Sequence, residues 1–101
     1  MPNPTARNKI MTTHPRTGTR FTIDEEIYEP FKTAILQSLK GGKGKTFTEL
    51  TNDVRIIIKK ELPDFKRSVA WYTISIRLDL ETKGIIETFT EKGKKWNRLK
   101  K

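Results

Sequence analysis

The stretch SVAWYTISIRLDLETKGII, residues 68–86, decides how the C-terminal half of the chain is built. Ser68 is a good helix N-cap, because its hydroxyl can accept from a first-turn N–H that lacks a partner inside the helix. From Ser68 to Lys83 nothing breaks a helix, and Gly84 is placed to end it in the left-handed conformation that suits glycine. IIETFT, a turn at EKGK and KWNRLK then have the pattern of two antiparallel strands, with Gly93 supplying the positive backbone angle of the turn. A helix that reverses sharply into a two-stranded ribbon is the expectation.

Two further helices are expected upstream. In DEEIYEPFKTAILQSLK, Asp24 is a cap with Glu25 and Glu26 in the first turn, and Phe31, Ala34, Ile35 and Leu39 form one apolar face. Pro30 implies that regular helix starts only a residue or two before it, or that the helix bends there. The glycine-rich GGKGK, residues 41–45, makes a flexible basic loop. In KTFTELTNDVRIIIKKEL, either Thr48 caps the helix or Thr46 forms a capping box with Glu49. Phe47, Leu50, Val54, Ile58 and Leu62 lie on one stripe, and Pro63 stops the element. Residues 1–22 hold Pro, Thr, Asn and Arg without helical period. KIMTTHPRTGTRFTI can be strand, turn and strand around Pro15 to Gly18, or a loose arm. The reading adopted is a partly ordered basic arm over 1–22, with Phe21 and Ile23 docking on a domain of residues 23–101.

At 101 residues the chain holds one modest core. It has no cysteine, which excludes disulfides and thiolate metal sites. No apolar run approaches the roughly 20 residues that span a bilayer, and residues 1–18 lack the apolar core of a secretory signal, so a cytoplasmic protein without membrane association is expected. The net charge is +9, and its excess sits at the ends. The first 23 residues carry Arg7, Lys9, Arg16 and Arg20 with no acid, and residues 85–101 carry six bases against Glu87 and Glu91. A neutral scaffold presenting basic ends suits a polyanion, although lysine-rich tails also simply solubilise.

LDLETKGIIE, residues 78–87, resembles the end of the recognition helix in winged helix-turn-helix domains: a leucine, an acid, two polar residues, glycine and an apolar pair leading into the wing. Leu80, Glu81, Gly84, Ile85 and Ile86 fill those places. FTELTNDV resembles the start of that fold's second helix, and Leu99 would close the second wing strand. AWYTISIRLDLETKG also resembles a small uncharacterised bacterial family with a tryptophan in the third helix. The resemblance covers about residues 24–101 and implies an α+β fold, three helices followed by a two-stranded β-wing. It also implies DNA binding, with the third helix in the major groove and the wing on phosphates or the minor groove.

On that fold Val69, Thr73, Ile76 and Leu80 face the core. At about 100° per residue, Trp71, Ser75, Leu78 and Thr82 then point away from it. A second apolar stripe is not what a groove-reading helix needs. Three explanations compete. Leu78 packs under the wing against Phe89 or Trp96 while the N-terminal arm covers Trp71. Alternatively, Trp71, Ile74 and Leu78 meet a protein partner or a second copy. In the third, Trp71 and Tyr72 touch nucleic acid through thymine methyls or stacking. The expected nucleic-acid contacts are Lys66, Arg67 and Ser68 at the helix start, Trp71, Tyr72 and Ser75 on it, and Lys92, Lys94, Lys95 and Arg98 on the wing. Lys43 and Lys45 are further candidates, and Arg77 lies too near the core side to reach a base.

The expected function is a small winged-helix protein contacting duplex DNA phosphates, as a transcriptional regulator or accessory factor. The alternative is a protein-interaction module without DNA binding. Enzyme chemistry, a cofactor, a metal site and a small-molecule ligand find no support. His14 is the sole histidine, and Glu25 with Glu29 reads as first-turn helix acids. GGKGK lacks the preceding strand and the residue order of a phosphate loop.

Overall fold

The computed structural model describes residues 9–14, 17–18 and 20–100. The fold is α+β, with three helices and two antiparallel hairpins in the order β1 (Lys9–Thr13), β2 (Arg20–Asp24), α1 (Glu25–Ser38), α2 (Phe47–Glu61), α3 (Val69–Thr82), β3 (Ile86–Glu91) and β4 (Lys94–Leu99). Strands therefore stand at both ends of the chain, whereas a single C-terminal ribbon was expected. The N-terminal hairpin pairs Ile10 with Ile23 and Thr12 with Phe21. Ile23 is buried in the core, as its expected docking requires. Residues 1–8 of the expected arm lie outside the described residues.

Local chemistry sets the helix ends. Asp24 occupies the N-cap of α1 without a side-chain cap bond, and Pro30 lies inside the helix. Regular helix begins at Glu25, after the expected cap position Asp24, so of the two readings of Pro30 the late start is corrected. Thr46 forms the capping box: its Oγ1 accepts from the Glu49 N–H at 3.2 Å, and Glu49 Oε1 accepts from the Thr46 N–H at 2.9 Å. VRIII is helical because Val54 and Ile58 sit on the stripe facing α1 and α3, so packing overrides their β preference. Leu62 leaves the helix at φ −131° and ψ 71°, outside the α region that the following proline disfavours. Ser68 Oγ accepts from the Trp71 N–H at 3.1 Å to start α3. At its end the Ile85 N–H bonds back to the Leu80 carbonyl at 2.9 Å and the Gly84 N–H to the Glu81 carbonyl at 3.1 Å. With Gly84 at φ +75°, this satisfies carbonyls that the helix leaves open and turns the chain into β3.

The core gathers Tyr28, Phe31, Ala34, Ile35 and Leu39 of α1, Leu50, Val54 and Ile58 of α2, Ile76 and Leu80 of α3, and Ile86 of β3. Burying each large side chain of this set contributes roughly 1.5–3 kcal/mol before chain entropy is counted. Phe65 and Tyr72 extend the core as an aromatic cluster on Phe31, with ring centroids 5.3 and 5.6 Å from it. Lys45 makes an isolated antiparallel bridge with Asn97, which ties the α1–α2 loop to β4. The same loop is held from the other side by Asp53, which takes the Lys45 ammonium and the Ser38 hydroxyl. Those two hydrogen bonds hold the Asp53 carboxyl below the usual carboxylate range.

Candidate nucleic-acid interface

Helix α3 lies in a trough between the two hairpins. On one flank the β1–β2 hairpin is fastened by Asp79, whose side chain is 1% exposed. Asp79 Oδ1 accepts from the Thr13 N–H at 3.1 Å, and Oδ2 accepts from the Tyr28 hydroxyl at 2.6 Å. Lys83 completes the cluster, with Nζ 2.7 Å from Asp79 Oδ2 and 3.1 Å from the Tyr28 oxygen. Burial and the hydrogen bond to Asp79 push the Tyr28 hydroxyl up to about 12. Thr82 Oγ1 adds a bond to the Thr13 carbonyl at 2.9 Å. One carboxylate thus joins β1, α1 and α3. In the sequence Asp79 has the appearance of an ordinary helix acid with Lys83 at i+4; the one local signal of its burial is its place between Leu78 and Leu80.

On the other flank stands the β3–β4 hairpin. The alternation of its strands sends Thr88, Lys95 and Asn97 toward α3, and Glu87, Phe89, Trp96 and Arg98 to the opposite face. Asn97 is buried and bonds three ways: its backbone pairs with Lys45, its Nδ2 donates to the Lys45 carbonyl, and its Oδ1 accepts from Arg77 at 2.9 Å. The Arg77 guanidinium also reaches Glu81 at 3.4 Å. Between α3 and this hairpin lies a cleft of about 330 Å³, lined by His14, Phe47, Ile74, Arg77, Leu78, Thr88, Lys95 and Asn97. Basic, apolar and neutral polar side chains line it, and among the described residues no carboxylate does.

The expected site residues divide between these surroundings. Trp71 is 42% exposed and Ile74 38% exposed. Phe21 of β2 meets Trp71 edge to face at 5.8 Å, so the N-terminal hairpin covers Trp71 in part. Ser75 and Leu78 face a smaller hollow under Thr12, Thr13 and Phe21. Leu78 thereby lies between the hairpins; the expected packing against Phe89 or Trp96 is corrected, since those rings point to the other face of the ribbon. Phe89 instead carries the Arg98 guanidinium 4.4 Å from its ring centroid, while Arg98 also pairs with Glu87 at 2.6 Å. Tyr72 is half-buried against Phe31 and Phe65, and its hydroxyl accepts from Arg67 at 2.9 Å. The Ser68 hydroxyl is engaged by the helix start. Lys66, Lys92, Lys94 and Lys95 are exposed, and among the described residues the side chains of the last three make no direct hydrogen bond or salt bridge, although Lys94 helps to hold the Glu49 carboxyl below its usual range. Lys92 and Gly93 form the turn with φ of 53° and 77°.

The structure therefore brings Ile74, Leu78, Arg77 and Lys95 together. Lys94 and Arg98 lie on the far side of the ribbon, and Lys66 and Arg67 lie at the opposite end of α3 from the cleft's C-terminal wall. Among the described residues no three His, Asp or Glu side chains converge as metal ligands, and no helix is long and apolar enough to cross a membrane.

No curated protein and no solved structure matches the chain. The sequence profile of DUF6958, a family of unknown function, matches residues 9–96, which takes in the hairpin on Asp79, all three helices and most of the basic ribbon, and the chain belongs to that family.

Proposed function

We propose that this chain is a small nucleic-acid-binding protein of winged-helix type, attached to duplex DNA phosphates chiefly by the β3–β4 ribbon, with a regulatory or accessory role. The order α1, α2, α3 and ribbon is that of the winged-helix resemblance. The observation that carries the reading is the position of the basic turn. Lys92 stands in the turn, Lys95 faces α3 and Lys94 faces the other side of the ribbon beside Glu91, so that three exposed cations crowd one tip in a chain of net charge +9. Such lysines provide affinity through released counterions and little sequence choice.

Titration of a labelled duplex at low and moderate salt tests this. Binding should weaken steeply with salt, with a log–log slope that falls by about 0.9 for each lysine removed. Replacing Lys92, Lys94 and Lys95 by Ala should abolish most of the affinity; binding indifferent to that triple change would refute the proposal. A second reading, a protein-interaction module, is favoured by the exposed Trp71, Ile74 and Phe21. A concentration-independent monomer in sedimentation would remove its homodimeric form.

A further inference from the structure

We infer that the trough along α3 takes unpaired bases, so that the preferred ligand is duplex DNA that continues into a single strand. The inference rests on the phosphate-binding role proposed above and specifies what meets the rest of that face. The outward positions of α3 are Trp71, Ile74, Ser75, Leu78 and Thr82. None has the amide, guanidinium or carboxylate that reads base edges in a major groove. Arg77, the helix's only cation on the cleft side, directs its guanidinium to Asn97 and Glu81.

The helix is also flanked on both sides. A recognition helix must stand proud of its domain to enter a groove. Here the β1–β2 hairpin is bonded along the C-terminal half of α3, through Asp79 and Thr82 to Thr13. The β3–β4 ribbon rises on the opposite flank. A duplex resting on the ribbon meets an α3 face that is apolar and crowded from both sides.

What the trough offers is a stacking floor with cations beside it. Trp71 and Phe21 are both about half exposed and lie edge to face. One turn along the same face, the cleft adds Phe47, Ile74 and Leu78 with Lys95 at its wall, beside the Arg77 guanidinium that Asn97 and Glu81 hold. Its volume of about 330 Å³ falls at the low end of the roughly 300–1,000 Å³ typical of small-molecule sites. Flat apolar rings joined by anionic phosphates match that lining, and base stacking on aromatic side chains tolerates any sequence. The lack of any carboxylate in the lining favours a polyanion over a peptide.

The Trp96→Phe protein, in which Trp71 is the sole tryptophan, is titrated with a blunt duplex and with the same duplex carrying an overhang of about six nucleotides, within the usual span of single-strand sites. The overhang should tighten binding about tenfold and quench Trp71 emission. Trp71→Ala should erase the difference between the two DNAs, and Trp71→Phe should keep most of it, with circular dichroism showing both folded. Equal affinity for both DNAs with unaltered Trp71 emission overturns the inference while leaving the duplex contact standing. Failure of either DNA to bind at low salt overturns the nucleic-acid reading itself. A dimer that Trp71→Ala dissociates, with no DNA bound, assigns the face to a second copy and also overturns the inference.

Discussion

Replacing Asp79 by Ala should unfasten the N-terminal hairpin. The carboxylate is 1% exposed and serves the Thr13 N–H, the Tyr28 hydroxyl and the Lys83 ammonium. Breaking a buried pair by removing one partner costs roughly 3–5 kcal/mol when the surviving charge stays buried. Lys83 is 44% exposed at its side chain and can return to water, which puts its share well below that range. The Tyr28 O–H and the Thr13 N–H are the donors left without an acceptor, at about 1–3 kcal/mol each. The expected loss is about 3 kcal/mol, which for a domain near 100 residues lowers Tm by roughly 12–20 °C. Denaturant unfolding gives the stability, and amide exchange gives the location: Thr13 should lose protection before residues of α2. Tyr28→Phe alone should cost about 1–2 kcal/mol, and in combination with Asp79→Ala it should add little, because the same bond is lost once. A loss under 1 kcal/mol for Asp79→Ala, or full additivity of the pair, would refute the account.

Three further outcomes are expected. Tyr28, pushed up to about 12 by burial and by Asp79, stabilises the fold fully below pH 10, and that stability is lost as pH rises from 10 through 12. Burial by itself would lower the Lys83 ammonium, but its bonds to Asp79 and Tyr28 raise it, so Lys83 adds in the same sense. Alkaline unfolding followed by phenolate absorbance in a Tyr72→Phe protein should show the remaining tyrosine titrating late and together with loss of structure. Gly44→Ala should destabilise by about 1–2 kcal/mol, because φ is +85° there and the new Cβ would stand 3.1 Å from Phe89 Cζ; a Tm equal to that of the parent would contradict this. Lys92→Asn should move stability and binding in opposite directions. Asparagine accepts the left-handed φ of 53° better than lysine, worth about 0.5–1 kcal/mol, while duplex affinity falls with the lost charge.

The helix ends were legible from residues 46–49, 68 and 84 because caps are local: donor and acceptor lie within a few positions of each other. The core stripes on Phe31 to Leu39 and on Leu50 to Ile58 were legible for the same reason, since period alone fixes which side faces inward. The N-terminal strand, turn and strand was one of two readings left open, and its anchorage on α3 was not legible. Its anchor joins Thr13 to Asp79 across 66 positions, and no local pattern marks an acid that will be buried by a strand so distant. Trp71 shows the same limit. Its exposure depends on how far Phe21 reaches across it, and this reach is set by the docking of the hairpin. Pro30 misled in the other direction, because a proline five residues into α1 still leaves the rest of the helix to be held by tertiary packing.

The clasp at Asp79 has a consequence for synthesis. Thr13 leaves the ribosome 66 residues ahead of the carboxylate that will hold it, an interval of roughly 3–13 s at ordinary elongation rates. Through that interval the β1–β2 ribbon has α1 beside it but not α3, so the side that α3 will cover stays open to other chains. Asp79 and Lys83 arrive only with the third helix, and until then the hairpin is held by α1 alone. Variants that weaken the clasp should therefore declare themselves first as aggregation in the producing cell, at temperatures where the purified protein is still folded.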